Sequence, residues 1–194
     1  DRERYLMDNF IVLYNPLAGN GTAQDKMREL ESLMQGDSLY FSNMLDIRDY
    51  GAFFNDMPDG ASIIICGGDG TLNRFLNDTE DIRPDCDIYY YPSGSGNDCA
   101  RDIGAERNKP PVLINRYIER LPEICVNGTV HRFINGIGYG IDGYCCEKGD
   151  ELRGKGDGEV NYTAIAIKGL LFHYKPTGAT ITVDGVEHRF EKVW

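Results

Sequence analysis

The chain has 194 residues, enough to bury a sizeable core and to form one large domain or one domain plus part of a second. With 41% hydrophobic and 26% charged residues, its composition excludes the disordered and collagen-like classes. A formal charge of -11, from 20 basic against 31 acidic residues, argues against a nucleic-acid partner, which needs clustered Lys and Arg to displace counter-ions from phosphate.

In chain order, the first strong pattern is Phe10-Ile11-Val12-Leu13-Tyr14, a continuous apolar run ended by Asn15-Pro16. It reads as a strand buried on both faces. A helix is expected after the following glycines, with Thr22 as its cap, Asp25 three residues on, and Ala23, Met27, Leu30 and Met34 on one apolar stripe. Residues 39–44 read as a second strand and Arg48 to Met57 as a second helix, closed by Pro58-Asp59-Gly60. Ala61 to Cys66 is β-branched and uninterrupted, the clearest strand, and runs directly into Gly67-Gly68-Asp69-Gly70-Thr71. A helix is expected from Leu72, then a short strand over Asp87 to Tyr91, broken by Pro92-Ser93-Gly94-Ser95-Gly96. Repetition of strand, glycine turn and helix predicts an α/β fold, a parallel sheet wrapped by helices, with ligand contacts at the carboxyl ends of the strands. That domain is expected over residues 1–122.

From 123 to 194 the character becomes β-rich. Glu123 to Val126, the Asn127-Gly128 turn and Thr129 to Ile134 predict a hairpin. Gly149 to Gly158 reads as a polar loop, Val160 to Phe172 as a helix with Ala164, Ile167 and Leu171 on one side, and Ala179 to Val193 as a second hairpin turning at Asp184-Gly185. Six cysteines (Cys66, Cys86, Cys99, Cys125, Cys145, Cys146) include no C-x-x-C pair, which fits a reducing cytoplasm. No apolar run reaches the ~20 residues of a bilayer span, so membrane contact is expected to be peripheral.

Three loops carry the chemistry. Asn15-Pro16-Leu17-Ala18-Gly19-Asn20-Gly21 lets backbone N–H groups approach an anion, although a plain strand-to-helix turn reads equally well there. Gly67 to Thr71 adds a carboxylate, Asp69, suited to a magnesium ion or its waters, and doubled glycines beyond what a turn requires. Pro92 to Asp98 offers hydroxyls, an amide and a further carboxylate.

Taken together, Asn15-Pro16-x-Ala18-Gly19-x-Gly21, Gly67-Gly68-Asp69-Gly70-Thr71-x-Asn73, Pro92-x-Gly94-Ser95-x-Asn97-Asp98-x-Ala100-Arg101 and Phe133-Ile134-Asn135 before Gly138 and Gly140 resemble the diacylglycerol kinase catalytic family. That family shares its Gly-Gly-Asp-Gly motif with NAD kinases. The resemblance implies an ATP-dependent lipid kinase with Mg2+, a lipid alcohol as acceptor, and ATP contacts from Asn15, Pro16, Leu17, Ala18, Gly19, Ser42, Gly67, Gly68, Asp69, Gly70, Thr71, Leu72, Asn73, Ser95 and Asn97. It also implies a water-linked magnesium network of Asp69, Asp98 and Glu123. Asn20 stands where bacterial relatives can carry Lys, and Ser95 where Thr is common. The family's catalytic carboxylate lies in a later Asp-Gly-Glu segment, expected beyond Trp194; Asp184-Gly185-Val186-Glu187 reads as a hairpin turn instead. An NAD kinase and a non-catalytic nucleotide-binding module are the competing readings, and exposed strand edges make pairing into a homodimer an expectation.

Overall fold

The apolar runs become strands because β-branched and aromatic side chains pack on both faces of a central sheet. In the computed structural model, residues 9–16, 23–82, 84–94, 96–154 and 160–194 are described. Among them β1 (Asn9–Tyr14), β2 (Ser38–Asn43), β3 (Ser62–Gly67), β4 (Ile88–Pro92) and β5 (Val112–Leu113) form a sheet in the order β2-β1-β3-β4-β5. The first four strands are parallel, whereas β5 pairs antiparallel with β4 at the edge. Val112-Leu113 is too short to carry a periodic signal, and the sequence did not announce it.

Alternation along the strands divides the core into two layers. Leu13, Ile63, Ile65 and Tyr90 face one side, packed with Tyr50 of α2 (Tyr50–Asn55), Leu72 and Phe75 of α3 (Asp69–Asp78) and Ala100 of α4 (Asp98–Ile103). Phe10, Val12, Ile64, Cys66 and Tyr91 face the other, covered by Leu30 of α1 (Ala23–Leu33). Leu30 and the three isoleucines of β3 are fully buried, each worth roughly 1.5–3 kcal/mol relative to exposure. Asp49 caps α2 by accepting from the Ala52 N–H at 3.0 Å.

The short helix α5 (Asn115–Ile118) precedes a hairpin of β6 (Glu123–Val126) and β7 (Thr129–Arg132). Asn127 and Gly128 both have positive φ, as the Asn-Gly signal requires. Two compact units divide at Asn135 and Gly136, so this hairpin belongs with the sheet domain and not with the residues after it. The reason is a latch. The Asn77 side chain, on α3, accepts from the Arg132 N–H at 2.9 Å, donates to the Arg132 carbonyl at 3.0 Å and donates to the Asn73 carbonyl at 2.8 Å. Replacing Asn77 with Ala should cost about 1–2 kcal/mol in urea unfolding and speed amide exchange at Arg132, because the backbone of β7 loses its side-chain partner.

The second unit, Gly136–Trp194, holds α6 (Ile141–Gly154), α7 (Tyr162–Lys168), a π-helical turn at Gly169–His173, and a hairpin of β8 (Thr177–Val183) and β9 (Val186–Val193). The expected polar loop from Gly149 is instead helical to Gly154. Its glycines serve packing: a Cβ on Gly149 would lie 2.5 Å from Tyr162 Cε1, and one on Gly169 2.6 Å from Tyr144 Cε1. α6 therefore meets α7 and the π-helical turn after it through reciprocal glycine–tyrosine contacts, which a side chain at either glycine would block. Asp184 and Gly185, both with positive φ, form the turn between β8 and β9. No helix among the described residues is long and apolar enough to cross a membrane.

Candidate functional site

Because β1, β3 and β4 are adjacent and parallel, the segments leaving their carboxyl ends emerge along one edge of the sheet. Asn15 and Pro16 follow β1 and are half-buried; Leu17, Ala18, Gly19 and Ser95 lie outside the described residues. Ser42, also half-buried, sits opposite Leu13 near the end of β2, at the same edge.

The second and third loops touch through bare backbone. A Cβ built on Gly68 would lie 3.1 Å from the Gly94 Cα, and one on Gly94 would lie 3.1 Å from the Gly68 N and inside the envelope of its Cα. The Ser93 N–H donates to the Gly67 carbonyl at 2.9 Å, continuing the strand pairing into the loops. Asn97, 5% exposed and left-handed at φ 56, closes the third loop with its side chain, accepting from the Gly94 N–H at 3.1 Å and donating to the Gly94 carbonyl at 2.8 Å. The Arg107 guanidinium donates to that same carbonyl. Asn97 thus shapes the third loop with its side chain.

The helix after Gly67-Gly68 starts at Asp69, three positions earlier than its apolar stripe suggests, with Gly68 as N-cap and no side-chain cap. The N–H groups of Thr71 and Leu72 turn to the Gly68 carbonyl at 3.0 and 3.1 Å. Those of Asp69 and Gly70 are then the orphan donors of this helix end, aimed where an anion is favoured. Thr71 is buried over Gly67, whose added Cβ would meet the threonine Oγ1 at 2.6 Å, and Leu72 is a core residue at 1% exposure. Both side chains are buried within the fold. Asn73 is half-buried, and its Oδ1 is a buried acceptor with no hydrogen-bond partner among the described residues.

Asp69 does something its sequence context did not reveal. Its two carboxylate oxygens accept from the N–H groups of Asp98 and Cys99, at 2.9 and 3.0 Å, and so cap α4 from a different helix. Burial, and then the negative charge of Asp69, push the Cys99 thiol up. Asp98 itself pairs with Arg101, and Glu123 lies 3.9 Å from Arg132, which also faces Glu80 at 3.5 Å. Among the described residues no three His, Cys, Asp or Glu side chains come together as a metal-holding group, so Asp69, Asp98 and Glu123 do not form one. The glycine contact, the uncapped helix end and the orphaned Asn73 oxygen fit an anionic, hydrogen-bonding ligand such as a nucleotide; direct metal ligation by those three acids does not fit.

On the opposite sheet face, the Tyr91 hydroxyl donates to Glu29 Oε1 at 2.5 Å, and Lys26 to Glu29 Oε2 at 2.7 Å. Burial pushes the Glu29 carboxyl up, but these hydrogen bonds outweigh it and hold the group below its ordinary value.

A mostly parallel sheet covered by helices on both faces, with glycine-rich loops gathered at one carboxyl edge, is the doubly wound class of ligand-binding domain. Residues 9–124 match the family model for the diacylglycerol kinase catalytic domain, and the chain belongs to that family. Comparison with curated proteins finds no match. Among solved structures the chain is similar to a Bacillus anthracis str. Sterne protein assigned as a diacylglycerol kinase, at 17% identity and a TM-score of 0.51, covering 97% of this chain and 64% of the other. A second structure of a diacylglycerol kinase from the same organism is 21% identical, with a TM-score of 0.47, covering 97% of this chain and 63% of that one. The chain therefore spans less than two thirds of the length of these relatives, and at such identity the first likeness concerns the fold.

Proposed function

We propose that this chain forms the nucleotide side of an ATP-dependent lipid kinase, in which the γ-phosphate of ATP passes to the hydroxyl of a lipid alcohol. The observation that carries the reading is the Gly68–Gly94 contact beside the uncapped start of α3, at the carboxyl edge of three adjacent strands in a chain of the diacylglycerol kinase catalytic family. Phosphoryl transfer asks the protein mainly for positioning and charge stabilisation. The N–H groups of Asp69 and Gly70 would meet phosphate oxygens, the close glycine pair would let backbone approach them, and Asn73 Oδ1 would accept from the ligand. Asp69, bound to α4, would hold the second and third loops in one arrangement. Magnesium, in such a reaction, supplies neutralisation of phosphate charge; Asp69, Asp98 and Glu123 do not provide it a common set of direct ligands.

Isothermal titration of the chain with ATP and magnesium should give saturable binding, weakened at least tenfold by Gly68→Val, which places a branched side chain against Gly94. Absence of binding in the wild-type chain would sink the nucleotide reading. A panel of diacylglycerol, sphingoid bases and other lipid alcohols, offered with radiolabelled ATP to the protein, tests the acceptor.

A further inference from the structure

The second unit presents a surface that its own packing does not account for. In the π-helical turn after α7, Leu170, Leu171 and Phe172 are 43, 67 and 76% exposed, three consecutive apolar side chains of which none turns inward. An amphipathic helix would bury one face of such a run. Here the inward contact is made instead by Gly169, which is buried under the Tyr144 ring, and by Tyr174, whose N–H donates to the Gly169 carbonyl at 2.7 Å and whose ring lies 6.1 Å from that of Tyr144. The turn is thus fixed from within by Gly169 and Tyr174, and the tip between them is pushed outward.

Charge decides what could cover it. Lys168 precedes the tip and Lys175 follows it, both exposed, and from Val160 to Val183 the sequence carries no Asp or Glu, in a chain with 31 acids and a net charge of -11. The acids of this unit lie instead before Val160, from Asp142 to Glu159, and after Val183, at Asp184, Glu187 and Glu191. An apolar wedge with a lysine on each side, in an acid-free stretch of an acidic protein, matches the boundary of an anionic bilayer, where apolar side chains enter the acyl region and lysines meet lipid phosphates.

We propose that Leu170, Leu171 and Phe172, flanked by Lys168 and Lys175, form a docking surface for an anionic lipid bilayer. The proposal gives a location to the membrane contact that a lipid acceptor calls for, but it rests on this surface alone and not on the nucleotide site. The test is sedimentation of the chain with vesicles, without nucleotide, comparing phosphatidylcholine containing phosphatidylglycerol with phosphatidylcholine alone. Binding should occur on the anionic vesicles and fall with added salt. Lys168→Ala with Lys175→Ala should weaken it roughly 30-fold, and Leu171→Asp with Phe172→Asp should remove it, while the circular dichroism spectrum stays that of the wild type because all four side chains are exposed. Equal binding to both vesicle types, or binding untouched by the Leu171 and Phe172 changes, overturns the proposal. So does a dimer that depends on Leu171 and Phe172 in the absence of vesicle binding, since the surface then belongs to a second copy. ATP titration of the same variants separates the two hypotheses: vesicle binding lost with ATP affinity retained concerns the docking surface only.

Discussion

Replacing Gly94 with alanine should destabilise the sheet domain by about 3 kcal/mol, at the upper end of what overpacking costs, and should lower ATP affinity at least tenfold. The new methyl group would meet main-chain atoms on one side, with the Gly68 N at 3.1 Å, and the Asn97 Oδ1 on the other at 3.0 Å. Backbone cannot rotate away as a side chain can. Relief requires the third loop to part from the second, which breaks the Ser93–Gly67 hydrogen bond, and requires the Asn97 side chain to draw back from Gly94 within the third loop, which strains its two bonds there. Gly70→Ala is the matched control, because a Cβ there meets none of the described residues within 4 Å and the position is helical. It should be neutral or stabilising by up to ~1 kcal/mol. Urea unfolding of the two variants reads the difference directly, and equal midpoints would rule out the glycine contact as a determinant.

Asp69→Ala should have the second largest effect, and for a reason separate from any metal. It removes the acceptor for two N–H groups at the start of α4, a loss of about 2 kcal/mol for partly exposed bonds to a charged group. Asp69→Asn keeps one oxygen and turns an amide toward the other N–H, so it should fall between alanine and wild type in stability. Asp98→Ala, by contrast, removes an exposed carboxylate paired, among the described residues, with Arg101 on its own helix and should change stability by less than ~1 kcal/mol. Thermal unfolding with and without ATP therefore ranks the three. If Asp98→Ala is as destabilising as Asp69→Ala, the capping role assigned to Asp69 is wrong.

Much of the sheet was legible in the sequence because its strands are continuous apolar runs and its turns carry glycine. Phe10 to Tyr14, Ser62 to Cys66 of the expected 61–66 run, and the three tyrosines at 89 to 91 all became strands for that reason. Errors arose where tertiary contact overrode local preference. Asp69-Gly70 reads locally as a turn, yet the extended backbone of Gly68 and its carbonyl start a helix there. Gly149 reads as a loop residue, yet the Tyr162 ring needs its bare surface and the helix continues. The site was legible as three loops but not as roles. Nothing local in Thr71 or Leu72 announces that their side chains are buried, and nothing in Asn97 announces that its amide would close on Gly94, twenty-six residues past a glycine it helps to hold in place. The Asn77 latch was invisible for the same reason, since its partner Arg132 lies on an element far away in sequence.

The Gly68–Gly94 contact also sets the terms on which this site could be redesigned. Side chains cannot be introduced at the point where the two loops meet, so altered ligand preference has to enter from the rim. A Cβ on Gly70 meets none of the described residues within 4 Å, and Gly96 allows a Cβ at an ordinary 3.5 Å from the Asp69 Oδ2. A library confined to those two positions would vary the groups presented to a ligand while leaving the junction of the loops untouched, whereas one that included 68 and 94 would mostly sample misfolded chains.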